Sequence, residues 1–407
     1  MKNLLLLIGL IIFSFQESMA CTTAVISGKH TKNGRPMLWK HRDTWAINNK
    51  IMTFNDGKYS YIGLVNSKDK SGKSIWIGYN SAGFAIMNSA SYNLNNDTIT
   101  QTGTEGRLMK EALQKCATID EFEAMLKAMD KPTRLEANFG VIDAQGGAAY
   151  FELGNFIIKK FDANDVTVAP YGYIIRTNHS ISGDLGKGGG YIRYVTTNRE
   201  FMQAIKEDRL SPKTIIQKCS RNMTNSLTNV DLNSFDNIKE NHPTYVSFTD
   251  YIPRRGTSSS VVVEGVNKGE NTNNVVMWAV LGWPLASVCI PLWLTDKVEL
   301  PKIVQYQENL KDSPLCNMAL QAKRFAYSYK WGYSYKYYIN VNALLNADNT
   351  GLIQLVTPME NKIFRKADEM INSWENIDYT KVKEFYKWID SQLPVFYKEN
   401  WDITPKN

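Results

Sequence analysis

The chain has 407 residues, 43% hydrophobic and 12% aromatic, enough apolar material for a large core and too much for an intrinsically disordered chain. Its formal net charge is +7, but Lys and Arg are dispersed with no run of five, which reads as a solvated basic surface and excludes a dedicated nucleic-acid site. Five cysteines without a C-x-x-C pair and four histidines without metal-ligand spacing argue against zinc, so no metal or other cofactor is expected.

Residues 1–20 carry Lys2, an apolar run from Leu4 to Phe15, and a short segment QESMA with small residues at Ser18 and Ala20. This is the layout of a secretory signal, and its apolar run is too short to span a bilayer. The expected mature chain therefore starts at Cys21, carries no transmembrane segment, and is secreted or periplasmic. Lipoprotein signals place leucine or a similar residue three positions before the cysteine. Here that position is Ser18, which favours plain cleavage over a lipid-anchored surface binding protein.

From Thr22 to about Asn93 short β-rich runs (TTAVISG, PMLWKH, KYSYIGLV, SIWIGYN, GFAIMN) are separated by turn signals such as KNG and NDG. Two helices follow, and the second opens with a capping box at Thr118 and Glu121 ahead of Ile119, Phe122, Met125, Leu126 and Met129. Strands return at NFGVIDA, AAYFEL, NFIIKKF and YGYIIRTN. Helices are expected at 191–207 and 212–222, the latter opened by Ser211-Pro212. A polar connection over 223–256 leads to a third β block, SSSVVVEG, VVMWAVLG and ASVCIPLWL, and from Ser313 the chain turns helical. The order implies a layered α+β architecture with a C-terminal helical segment. Loops at 44–75 and 223–256 are candidate pocket walls.

An odd cysteine count in an oxidising compartment leaves at least one thiol unpaired. Cys116, on the apolar side of a helix, and Cys289, in an apolar strand, read as buried small hydrophobes; the pairing of Cys116, Cys219, Cys289 and Cys316 is left open. Cys21 differs from all of them. As a terminal residue it carries its own α-amine, which can take the thiol proton and later hand it to a leaving amine, so one residue supplies nucleophile and base. Such a site needs a carboxylate or cation to tune the amine and polar donors for an oxyanion. GRPMLWKHRDT supplies Lys40, Arg42 and Asp43 on a second strand, with Lys40 and Arg42 on one face and Asp43 on the other or at the turn.

CTTAV followed by GRPMLWKHRD resembles the opening of the N-terminal-nucleophile (Ntn) hydrolases that act on linear amide C–N bonds. That group holds choloylglycine hydrolases, penicillin V acylases, acid-ceramidase-like amidases, acyl-CoA:6-aminopenicillanic acid acyltransferases and, more distantly, N-terminal-cysteine dipeptidases. Asp43 falls on the aspartate of the group's G-R-N-x-D segment, which puts Lys40 where arginine is usual and leaves Arg42 out of step. NSAGFAIMNSA resembles a later stretch and implies that Asn88 faces the site. RTNHS resembles the T-N-H segment whose asparagine serves the oxyanion hole, here Asn178. RRGTSSSVVVEG resembles a late strand that carries an arginine in choloylglycine hydrolases, but the matching position here is apolar, so the role is not assigned to Arg254 or Arg255.

The resemblance implies a four-layer αββα fold over residues 21–300, with 301–407 as a helical segment packed on the same domain. It also implies catalytic roles for Cys21, Asp43, Asn178 and Asn88, with Lys40 or Arg42 as the cation. The partner is a small-molecule amide with an acyl group, cleaved through an acyl-cysteine thioester. Acyl transfer and dipeptide cleavage remain as alternatives, and substrate identity and oligomeric state are not read from the sequence.

Overall fold

The computed structural model describes residues 20–406, so all of the expected signal segment except Ala20 lies outside the described residues. Two antiparallel sheets form its centre. The first runs β10-β1-β2-β14-β15-β16 and the second is a meander, β3 to β9 in order. In the first half these are β1 (Thr22–Ile26), β2 (Met37–Asp43), β3 (Asn49–Phe54), β4 (Tyr61–Asn66), β5 (Ile77–Asn80), β6 (Ala85–Ala90), β7 (Ala137–Ile142), β8 (Ala148–Leu153), β9 (Ile158–Asp162) and β10 (Tyr173–Arg176). Two-stranded ribbons add β11 (Thr224–Asn225) with β12 (Val230–Asp231), and β13 (Tyr245–Ser247) with β17 (Tyr338–Asn340). The late block is β14 (Thr257–Glu264), β15 (Val276–Leu281) and β16 (Cys289–Leu292).

The sheets pack face to face on central strands that are covered on both sides, apolar at one end and polar where β2 and β14 run through Lys40–Asp43 and Thr257–Ser260. Every residue of β1, β2, β7, β8, β14 and β15 is buried, as strands covered on two faces must be. On the outer face of the meander lie α1 (Glu105–Lys115) and α2 (Ile119–Lys127), where Phe122 meets Phe84, Phe139 and Phe151. The predicted capping box of Thr118 and Glu121 is formed. Over the other sheet lie α3 (Tyr191–Lys206), the short α4 (Pro212–Thr214) with the π-turn after it, and the C-terminal helices α5 (Pro314–Ala326), α6 (Leu352–Ile371) and α7 (Tyr379–Trp401). The result is helix, sheet, sheet, helix in four layers. Among the described residues no helix is long and apolar enough to cross a membrane.

Residues 44–75, expected as pocket loop apart from the predicted strand at KYSYIGLV, also contain β3 as an edge strand. Its NKIMTF sequence opens on Asn49 and Lys50, which are polar yet buried, and so lacked the apolar run that marked its neighbours. All five cysteines are free and buried. Cys116 caps the end of α1 and Cys289 opens β16.

Helix α6 is tied to the first sheet by a buried ion pair. Both Arg221 Nη atoms reach the Glu360 carboxylate at 2.7 Å, and Glu360 also accepts from the Cys289 backbone N–H at 2.8 Å. Removing one partner leaves the other charge buried and unmatched, so Glu360→Ala should cost about 3–5 kcal/mol. Urea unfolding with an unchanged midpoint would remove this link from the account.

Candidate active site

Cys21 immediately precedes β1 and is 7% exposed, with Ala20 before it 2% exposed. Strand pairing sets Thr22 opposite His41 and Thr23 opposite Lys40, so Cys21 sits at the end of β1 beside the Lys40–Asp43 stretch of β2. Alternation then sends Lys40 and Arg42 to the inter-sheet side, together with Thr23, whose hydroxyl accepts from Tyr150 of β8 at 2.8 Å.

Lys40 is buried, and its Nζ donates to both the carbonyl and Oδ1 of Asn88 at 2.6 Å. Burial lowers its pKa from 10.5 to about 8, opposed by negative charge at Cys21 and by Glu105 and assisted by Arg42. Arg42 is also buried; it donates to Asn49 Oδ1 at 2.8 Å and lies 4.5 Å from the centre of the Trp76 ring. Both cations therefore flank Cys21, one held by Asn88 and the other by Asn49 and an indole face. Asn88 meets the site through Lys40: its side-chain oxygen is turned to the cation.

Asp43 ends β2 where β14 has a register shift between Thr257 and Ser259. The irregularity lets Thr257 turn toward it and donate to Oδ1 at 2.6 Å. Its Oδ2 is buried without a hydrogen-bond partner among the described atoms, the nearest ion-pair contact being Arg254 Nη1 at 3.8 Å. Burial raises the Asp43 pKa, against the pull of Arg254 and Arg193. His41, between these residues, is buried, and burial, then Arg193, lowers its pKa to about 3 against the opposing pull of the Ile252 backbone. It is a neutral core histidine.

Asn178 follows β10. Its backbone bridges Gly189, its Nδ2 donates to Ala90 O at 3.0 Å and its Oδ1 accepts from Arg193 Nη2 at 2.9 Å. The loop after it is anchored by Glu152, which takes Arg176 Nε at 2.7 Å and the backbone N–H groups of Ile181 and Ser182 at 2.8 and 2.9 Å. Asn178 is 1% exposed, so its Asn-His-Ser sequon is not an accessible glycosylation acceptor.

Sequence reasoning missed Arg193, in the first turn of α3. Its Nη1 donates to Cys21 O at 2.6 Å and Thr22 Oγ1 at 2.7 Å while Nη2 holds Asn178. One guanidinium thus joins the cysteine to the asparagine. The clue was GGG at 188–190: Gly190 has φ +82°, and a Cβ there would stand 2.4 Å from Arg193 Nη2. Arg254, left unassigned from the sequence, is brought to Asp43.

All six residues singled out, Cys21, Lys40, Arg42, Asp43, Asn88 and Asn178, are buried and converge on one end of the first sheet. A thiol flanked by two cations, a buried carboxylate with a vacant acceptor, and a fixed amide form an arrangement able to support acyl chemistry.

Among solved structures, the chain is similar to a variant of conjugated bile acid hydrolase from Clostridium perfringens, with 13% identity, TM-score 0.38, and coverage of 67% of this chain and 92% of that one. It is also similar to a Caenorhabditis elegans N-acylethanolamine-hydrolyzing acid amidase ortholog, with 13% identity, TM-score 0.38, and coverage of 60% and 92%. Penicillin V acylase from Agrobacterium tumefaciens shows 13% identity, TM-score 0.36, and coverage of 68% and 87%. No curated protein matches the chain significantly. The profile of the family described as acyl-coenzyme A:6-aminopenicillanic acid acyl-transferase matches residues 32–244, just over half of the chain and starting after Cys21. The chain belongs to that family, within the Ntn group that its CTTAV and GRPMLWKHRD segments resemble.

Proposed function

We propose that the protein, after removal of residues 1–20, is an exported amidohydrolase that uses Cys21 to cleave a linear amide C–N bond. The observation that carries this reading is the convergence on Cys21 of Lys40, Arg42 and the Arg193–Asn178 pair, with Asp43 beside them. The Cys21 sulfur attacks the amide carbonyl carbon, and its proton passes to the freed α-amine. The tetrahedral oxyanion is held by the Asn178 amide and the neighbouring positive charge. The C–N bond breaks, the α-ammonium protonates the leaving amine, and an acyl thioester remains on Cys21. Water then attacks the thioester, losing a proton to the amine and releasing the carboxylic acid and the thiol.

Asp43 completes the site in this scheme, because its vacant Oδ2 is available to the ammonium that cleavage at Cys21 creates. Arg193 positions both the Cys21 carbonyl and Asn178. Lys40 supplies charge beside the sulfur, held by Asn88.

Acyl transfer is the second reading, favoured by the family description. Both reactions share the acyl-cysteine, and 6-aminopenicillanic acid, a weakly nucleophilic amine, separates them: an acceptor site should divert most of the acyl group to the new amide at millimolar amine, whereas a hydrolase should continue to release free acid. Hydrolysis of a panel of conjugated bile acids, penicillin V, N-acyl amino acids, N-acyl ethanolamines and dipeptides tests the proposal. Failure of every amide with correctly processed protein would count against it.

Lys40 also predicts a pH profile. Its ammonium is present below about 8 and lost above it, since burial lowers the group from 10.5. Turnover should therefore fall as pH rises through that value, and Lys40→Arg, which keeps its charge, should move the falling limb upward by at least ~1 pH unit. An identical limb in both proteins would remove Lys40 from the pH response.

A further inference from the structure

Between α5 and the residues around Asn48 and Arg255 lies a cleft of about 480 Å³ whose lining includes Arg255, Lys323, Arg324 and Lys406. No acidic residue is among its described lining residues, and Asn317 and Gln321 hold the 404–406 stretch, Lys406 included, against α5 by donating to the carbonyls of Lys406 and Thr404, each at 2.8 Å. Asn317, Leu320, Gln321 and Arg324 recur on one face of α5, which therefore carries the clamped C-terminal stretch on one turn and the Arg324 cation on the next.

The cations are held by aromatic rings. The Lys323 ammonium is 5.8 Å from the Trp283 ring and 5.7 Å from the Tyr327 ring, and the Arg255 guanidinium is 5.3 Å from Tyr327. Lys323 Nζ donates to the Arg255 carbonyl. Burial, followed by repulsion from Arg255, lowers the Lys323 pKa to about 7. The carboxylate that acts on it is Asp43, already bound by Thr257. Crowded like charges held in place raise the free energy of the empty cleft, and an anion would relieve it. Arg254, next in the chain, faces Asp43, so consecutive arginines connect the cleft to the Cys21 site.

We propose that this cleft is a binding site for an oxyanion, a carboxylate or phosphate, beside the active site. Binding itself does not depend on the amide chemistry proposed above. Two N–H groups of a guanidinium can meet two oxygens of such an anion, with Lys323 as a point charge at the inner end.

Isothermal titration of the purified protein with inorganic phosphate and with citrate, at constant ionic strength set with chloride, tests it. Saturable binding of at least one anion is expected, weakened at least ~10-fold by Arg255→Gln and by Lys323→Met. Arg324→Gln, at an exposed position, serves if either variant fails to fold, and Lys29→Gln, outside the cleft, should bind like the unaltered protein. Absence of saturable binding, or equal binding by all cleft variants, would overturn the proposal. With an amide that is turned over, competitive inhibition by phosphate would identify the anion as part of the substrate. Binding without inhibition would identify a free anion; both outcomes retain the site.

Discussion

Cys21→Ala and Cys21→Ser are each expected to fold and to lose turnover by at least about a thousand-fold. Alanine removes the nucleophile. Serine keeps a terminal amine and a hydroxyl, but a hydroxyl is far harder to deprotonate than a thiol, so the amine becomes too weak a base. Neither change leaves a large cavity, and retained circular dichroism and thermal midpoint should separate lost chemistry from lost structure. Cys289→Ala and Cys116→Ala are the contrasting cases: they remove buried sulfur from the two cores at a cost of about 1–3 kcal/mol while the folded fraction keeps its turnover. A Cys21→Ala protein with full activity would show that Cys21 is not the nucleophile.

The second large effect concerns Asp43. With Thr257 on one oxygen and the other unpaired, this buried carboxylate should gain its missing partner when the α-ammonium of Cys21 is released. The ammonium would also draw the raised Asp43 pKa back toward the ordinary carboxylate range. Asp43→Asn retains the shape and the bond from Thr257 but cannot neutralise an ammonium, so a rate loss of about a hundred-fold or more is expected with the fold intact. A variant with extra residues before Cys21 should behave similarly, because it has no amine for Asp43 to hold. If both variants turn over at the original rate, the terminal amine is not the base.

How far these features could be read in advance follows from where their partners lie. Thr22–Ile26 and Met37–Asp43 pair with one another, so alternation over a short span was enough to place Cys21 beside Lys40 and Arg42. The capping box at Thr118 and the late β block were also local, and both were legible. Arg193 was not, because its contacts are 172 and 171 residues away, and GGG at 188–190 beside it signals a turn without naming the side chain that packs there. The approach of Arg254 to Asp43 likewise depends on the turn that Arg254 and Thr257 make before β14, which meets Asp43 only when β14 pairs with β2. β3 escaped notice because its buried positions include Asn49 and Lys50, whose partners Cys316, Ser313 and Tyr306 lie far along the chain, so it lacks an apolar run. The resemblance supplied Asn88 and Asn178 by order along the chain, and it did not indicate that Asn88 would turn its oxygen to Lys40.

The proposed mechanism requires that an acyl group reside on Cys21 during turnover. Incubating the processed protein with a slowly turned-over amide, quenching in acid, digesting and weighing the peptides tests it directly. The expected result is an added acyl mass on the peptide whose first residue is Cys21, with that residue's α-amine free and the mass lost on treatment with hydroxylamine. An adduct on any other residue, or turnover by protein in which Ala20 is still joined to Cys21, would contradict it.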